Sequence, residues 1–192
     1  MYRIFSISSE MIAASVILLP ILFFYYKIAF HNVRKTFAYA IFILYLAGMS
    51  SLVGFPNIMG IKMVFSFNFV PFSGMLTDFT NSCLNVLLFV TLGILLPCLW
   101  REYRTMRKTV LFGLVTSLGI EISQIFTFRA TDVNDLITNV AGTAIGYLVG
   151  NAIIKKIPQL DKLGTKDGEL YLLCGTVIAA MFFIQPFISY LL

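Results

Sequence analysis

The amino-acid sequence predicts an all-α, polytopic integral membrane protein, and three observations carry that expectation. Hydrophobic residues fill 59% of the 192 positions and charged residues only 12%, whereas a soluble domain carries about 25% charged residues. Mean hydropathy is +0.90, so polar side chains are too few to cover a water-soluble fold. The apolar residues also gather into six runs, most of them near the ~20 residues that a helix needs to cross ~30 Å of hydrocarbon.

The first run covers about Met11 to Phe30 and the second about Phe37 to Phe55. The third covers about Leu84 to Trp100, the fourth Val110 to Phe126, the fifth Leu136 to Ile154 and the sixth Leu170 to Leu191. The first is longer than a signal-peptide core of about 7–15 residues, and Lys27 follows it rather than preceding it, so it reads as a retained span. The third and fourth are short, which suits thin bilayer or buried ends. No repeat, low-complexity tract or linker interrupts the chain, so residues 1–192 are expected to form a single membrane domain.

Lysine and arginine set the orientation. Lys27, Arg34 and Lys35 lie between runs one and two, and Arg101, Arg104, Arg107 and Lys108 between runs three and four. Lys155, Lys156, Lys162 and Lys166 lie between runs five and six. These eleven of the fourteen basic residues occupy alternate loops, which are expected to be cytoplasmic, with both termini outside a bacterial plasma membrane. Glu102, Asp161, Asp167 and Glu169 fall on the basic side and pair with basic neighbours. Arg3, Lys62 and Arg129 fall on the other side with Glu10, Asp78, Glu121, Asp132 and Asp135.

The same distribution argues against nucleic acid as a partner. The net charge of +5 is spread over short loops, and no basic groove with interleaved aromatics can be assembled from it. The lipid bilayer is the expected partner. Cys83, Cys98 and Cys174 lie far apart in apolar stretches without a CxxC pair, so they read as buried small residues. His31 sits in a basic turn and reads as a solvated loop residue.

One outer loop is long, from about Pro56 to Ser82. Its stretch Phe65-Ser66-Phe67-Asn68-Phe69-Val70-Pro71-Phe72 is too aromatic for a solvated loop, so an interfacial or re-entrant segment is expected near residues 56–82.

The outer ends of three runs carry a polar constellation. Asn81, Asn85, Phe89 and Gly93 recur every four residues on run three. Gly113, Ser117 and Glu121 repeat the spacing on run four, with Gln124 a turn further. A hairpin follows, Thr127-Phe128-Arg129-Ala130-Thr131-Asp132-Val133-Asn134-Asp135, in which Asp135 is placed to cap run five. Asn139, Gly142, Gly146 and Gly150 come next. The glycines read as a small-xxx-small row where run five packs against run three or four. Glu121 is costlier, since a carboxylate in an apolar span needs a partner or water. Arg129 offers one, with Asn85 or Asn139 completing the shell, and Asp132 and Asp135 can serve as turn and cap residues.

This set allows several chemistries. Arg129 can bind an anionic headgroup. Asp132, Asp135 and Glu121 can hold a hard divalent cation, although no metal site is assigned, or can supply an acid/base pair split by burial. A histidine-activated nucleophile is excluded on this face, because His31 lies on the other side.

The residues also resemble the VanZ-like family of bacterial membrane proteins over about Asn68 to Gly146, with a core near residues 68–150. Asn68-Phe69-Val70-Pro71-Phe72 looks like its Asn-x-x-Pro-Phe entry. Asn85-Val86-Leu87-Leu88-Phe89-Val90-Thr91-Leu92-Gly93 resembles its Asn-x-x-x-Phe-x-Pro-x-Gly span, with Thr91 where proline is common. Glu121-Ile122-Ser123-Gln124 matches Glu-x-x-Gln, and Arg129-Ala130-Thr131-Asp132-Val133-Asn134-Asp135 matches Arg-x-x-Asp-x-x-Asp. Asn139, Gly142 and Gly146 follow in register.

The resemblance implies a role at the cell envelope, since the family's namesake lowers susceptibility to the glycopeptide antibiotic teicoplanin. The expected function is therefore binding or modifying an anionic envelope component, such as a lipid or cell-wall precursor, at an outward polar site. Glu121, Asp132 and Asp135 are the expected catalytic carboxylates, and Arg129, Asn85, Gln124 and Asn139 the ligand-binding residues. Two alternatives stay open: a small transporter or lipid flippase, and a non-catalytic partner of envelope-synthesis enzymes. A path of ionisable residues through the bilayer would favour transport; a stoichiometric partner on co-purification would favour the last.

Overall fold

A computed structural model describes residues 2–61, 67–68, 79–127 and 131–191. The helices are α1 (Tyr2–Tyr25), α2 (Val33–Val53), α3 (Phe79–Leu99), α4 (Met106–Gln124), α5 (Val133–Lys156), α6 (Asp167–Ala179) and α7 (Gln185–Leu191). A π-helical turn, Tyr26–Phe30, extends α1, and another, Ala180–Ile184, joins α6 to α7. Five of the described helical stretches are long and apolar enough to cross a membrane: Ile7–Phe30, Val33–Val53, Ser82–Leu99, Val133–Lys156 and Asp167–Leu191. The chain is thus an all-α, multi-pass membrane protein.

α4, the fourth expected span, is not among the five, because Arg107, Lys108 and Glu121 fall within its 19 residues. Its neighbours nevertheless fix its course. Gly142, Gly146 and Gly150 of α5 face Val86, Val90 and Ile94 of α3 in ascending order, so α3 and α5 run parallel. The chain between them must return along their length, and α4 does so, with Gly113 facing Thr143 and Ser117 bonded to Asn139.

The chain divides into two compact units, unit 1 (Met1–Lys62 with Lys166–Leu192) and unit 2 (Met63–Thr165). Unit 1 packs large side chains, with Leu18, Tyr39, Phe42, Leu170, Leu173 and Val177 among its most buried. Asn32 caps α2, its side chain accepting from the Lys35 amide at 3.2 Å. Lys35, expected in the loop between runs one and two, instead lies within α2 and is buried. Its ammonium donates to Glu169 Oε1 at 2.6 Å, with the two side chains 7% and 14% exposed. Glu169 Oε2 accepts from the Tyr39 hydroxyl at 2.5 Å and the Lys166 amide at 2.9 Å. The Phe30 ring completes the shell, 5.2 Å from the Lys35 ammonium, so the ion pair is solvated by fixed donors and a π face.

Proline explains a second feature of unit 1. Pro186 has no N–H, so the helix cannot supply the usual donor to the Phe182 carbonyl four residues earlier. The Ile58 amide supplies it instead, at 3.1 Å.

Unit 2 is built on a seam of backbone against backbone. A Cβ on Gly142 would stand 2.7 Å from the Val86 carbonyl oxygen, and one on Gly146 would overlap the Val90 carbonyl. One on Gly93 would overlap the Thr143 carbonyl from the opposite side. The expected small-residue row is therefore real, and its partner is α3. Of the aromatic stretch 65–72, only the two residues Phe67–Asn68 (β1) are described; they pair in parallel with Thr131–Asp132 (β2). The re-entrant expectation for the rest lies outside the described residues.

Candidate functional site

The polar end of unit 2 is assembled where α4 stops and α5 starts. Gly113, Ser117 and Glu121 occupy one face of α4 because they are spaced by one helical turn. α5 runs antiparallel along that face and presents Thr143, Asn139 and then its own N-terminus. Three rungs result. Thr143 sits against Gly113, and a Cβ on that glycine would overlap the threonine side chain. The Asn139 amide donates to Ser117 Oγ at 2.9 Å. Glu121 Oε2 accepts from the backbone N–H of Asp132 at 3.0 Å.

Each rung is buried. Glu121 is 5% exposed and Asn139 3%, while Ser117 and Thr143 have no exposure. Thr143 Oγ1 donates back to the Asn139 carbonyl at 2.9 Å. Asn139 Oδ1 is buried without a hydrogen-bond partner among the described residues, so this amide has acceptor capacity in hand. Thr143 is the eleventh residue of the 24-residue α5, about 16 Å along the helix axis. The polar residues thus reach nearly half the depth of the seam, deeper than the sequence suggests. The ionisable ones stop at its end.

The short strand Thr131–Asp132 is held from two sides. Asp132 belongs to β2, and its N–H points to Glu121 while β1 pairs along the strand. Glu121 thereby occupies the place of a neighbouring strand. Asp132 Oδ1 accepts from the Asn134 amide at 2.8 Å and caps α5. Capping thus falls to Asp132 rather than to Asp135, which lies in the first turn and whose carbonyl accepts from the Thr138 hydroxyl at 3.0 Å. Both carboxylates stand at the positive end of the α5 dipole.

Glu121, Asp132, Ser117 and Asn139 are therefore joined by hydrogen bonds or adjacent rungs. Gln124 is buried at the last residue of α4, one turn beyond Glu121. Asn85 lies one turn before Phe89, on the α3 face that meets Gly142, and is half-buried without a hydrogen bond to the other described residues of the cluster. Arg129 lies outside the described residues. Among the described residues no three His, Cys, Asp or Glu side chains converge on a metal site.

Asn134, Thr138 and Thr143 are buried polar residues that sequence reasoning passed over. Their signal was present: small polar side chains four and five residues apart along α5, of which Thr138 and Thr143 return a hydrogen bond to their own helix.

The VanZ/LLP1 family model matches residues 36–154, a range that holds all of α3, α4 and nearly all of α5. Over 109 residues the chain is 37% identical to Protein VanZ of Enterococcus faecium, an alignment covering 54% of this chain and 66% of that protein. The match therefore spans slightly less than two thirds of that relative. No solved structure matches the chain.

Proposed function

We propose that this chain, which belongs to the VanZ/LLP1 family, lowers glycopeptide (teicoplanin) susceptibility by binding an anionic envelope component at the polar end of unit 2. In this reading the chain sits in the bacterial plasma membrane with that end outward. Arg129 engages the anion, Asp135 stands beside it at the mouth of α5, and Asn85, Gln124 and Asn139 orient the bound group. Glu121 holds the Asp132 backbone and hence the hairpin that carries Arg129.

The observation that carries the reading is the buried Glu121 carboxylate bonded to the hairpin backbone. A charged acceptor in an apolar seam is worth about 1.5–3 kcal/mol when its bond is made and costs more when it is not. It fixes Asp132, the residue that leads directly into α5. Sequestration is favoured over modification, because Glu121 and Asp132 each accept from a backbone amide and thereby hold the entry to α5 in place.

The test is teicoplanin susceptibility of a sensitive Gram-positive host expressing the chain, with membrane abundance matched. Resistance from the wild-type chain, lost in Arg129→Gln and Asp135→Asn at equal abundance, is expected. Unchanged resistance in both variants refutes the assigned roles. A second reading, in which the cluster clamps α4 to α5 within a non-catalytic partner of envelope enzymes, draws on the Ser117–Asn139 rung. It predicts that Asn139→Ala lowers the melting temperature in detergent without changing resistance per molecule.

A further inference from the structure

The turn that follows α2 folds back against the last membrane stretch of unit 1. Gly54 ends α2 at φ +72°, and its N–H and that of Phe55 both donate to the Ser50 carbonyl, so the chain reverses through one left-handed residue. Pro56 is buried. The Ile58 amide then reaches the Phe182 carbonyl at 3.1 Å.

Phe182 fixes how deep this turn lies. It is the sixteenth residue of the 25-residue stretch Asp167–Leu191, and a crossing takes ~20 residues. Every run of that length within the stretch contains Phe182 and leaves four to nine residues beyond it, or about 6–13 Å of helix. The Ile58 amide is therefore at hydrocarbon depth.

The turn also suits a medium without water. The amides of Gly54, Phe55, Ile58, Met59 and Gly60 all donate within the protein, Met59 to Asn57 Oδ1 at 3.1 Å and Gly60 to the Asn57 carbonyl at 3.0 Å. Pro56 has no N–H to satisfy. A turn in water can leave such donors to solvent, whereas backbone in hydrocarbon must be paired internally. No charged residue occurs from Gly54 to Ile61, and Ile58, Met59 and Ile61 are 46%, 56% and 46% exposed. Paired backbone beneath exposed apolar side chains is the arrangement that lipid requires and water penalises.

We propose that residues 56–61 form a re-entrant tip whose Ile58, Met59 and Ile61 side chains lie among the acyl chains of the bilayer, anchored by the hydrogen bond from Ile58 to Phe182. The tip lies at the start of the long loop, ahead of the aromatic stretch, and rests on none of that stretch's residues. It belongs to unit 1 and sits at this depth in either orientation of the chain, whatever unit 2 binds.

The full chain, with Cys83→Ala, Cys98→Ala and Cys174→Ala, is spin-labelled singly through Met59→Cys, Ile61→Cys, Ile41→Cys or Gln159→Cys. It is placed in phosphatidylcholine/phosphatidylglycerol nanodiscs, which leave both faces open to reagents. Electron paramagnetic resonance then reads collision with oxygen, which concentrates in hydrocarbon, and with a water-soluble nickel chelate. Ile41 is an exposed apolar residue within α2, and Gln159 is exposed in the loop after α5. Positions 59 and 61 are expected to show oxygen collision within about twofold of position 41, and nickel collision at least about tenfold below position 159. Nickel collision as high as at position 159 for both probes places the turn in water and overturns the proposal. Low collision with both reagents places it under protein, from a second copy or another chain, and overturns it equally. Pro186→Ala tests the anchor, because it supplies a helical donor to the Phe182 carbonyl in competition with the Ile58 amide. It is expected to raise nickel collision at position 59 by about two- to tenfold while leaving position 41 unchanged. No change at position 59 overturns the anchoring role of the Phe182 bond.

Discussion

A Cβ on Gly142 of unit 2 would stand 2.7 Å from a backbone carbonyl, whereas one on Gly48 of unit 1 would stand 3.4 Å from the Met11 sulfur, an ordinary contact with a flexible side chain. The two units bury helix faces in different ways. Unit 2 brings main chain to main chain and fills the remaining gap with amides and hydroxyls that bond across α4 and α5. Unit 1 separates its helices with Tyr39, Phe42 and leucines, and crosses them with the shielded Lys35–Glu169 ion pair. Chains in lipid gain little from hiding apolar surface, so both units rely on close packing and on polar bonds that lipid cannot replace. Backbone contact tolerates no added atom, and a buried ion pair tolerates no missing partner.

Four substitutions separate these mechanisms, each read by thermal melting of the purified chain in detergent. Lys35→Met strands the Glu169 carboxylate and is expected to cost about 3–5 kcal/mol, most of it regained in Lys35→Met/Glu169→Leu. Without that recovery, the ion pair itself, and not only the cost of a stranded charge, holds unit 1 together. Gly146→Ala drives a methyl into the Val90 carbonyl and is expected to cost about 1–3 kcal/mol. A variant as stable as wild type would show that the α3–α5 seam opens easily. Asn139→Ala removes the donor to Ser117 and is expected to cost about 1–2 kcal/mol, with circular dichroism unchanged. Gly48→Ala, by contrast, should raise stability by about 0.5–1 kcal/mol, because a helix-interior glycine is replaced where space exists. A loss of stability there would mean that unit 1 is as tightly closed as unit 2.

The sequence made the helices legible because each apolar run had to match the thickness of hydrocarbon. Their starts were less legible. α3 begins at Phe79 and α5 at Val133, ahead of the apolar runs, since their first turns carry Thr80, Asn81, Asn134 and Asp135. The row Gly142, Gly146 and Gly150 announced a close contact, but small residues do not name their partner, and only geometry assigns α3 to that row and Gly113 to Thr143. Lys35 was counted among orientation charges. A lysine near a helix start looks the same in sequence whether it faces water or a glutamate 134 positions later. The convergence of Glu121, Asp132 and Asn139 was visible from spacing. The division of labour among them was not, because a carboxylate that accepts from a backbone amide leaves no mark in the chain.

The α5 row has one more consequence, for registration. A repeat of four residues invites the two parallel helices to slip by one turn, since each glycine would then face the carbonyl next along. The row is only three members long. Slipping one way would press Thr138 onto Val86, and slipping the other way would press Ile154 onto Ile94 and Tyr147 onto Gly113. The bulky residues that end the row, more than the glycines within it, leave α3 and α5 a single alignment, and the spacing between the acidic end and the basic end of unit 2 is set by that count.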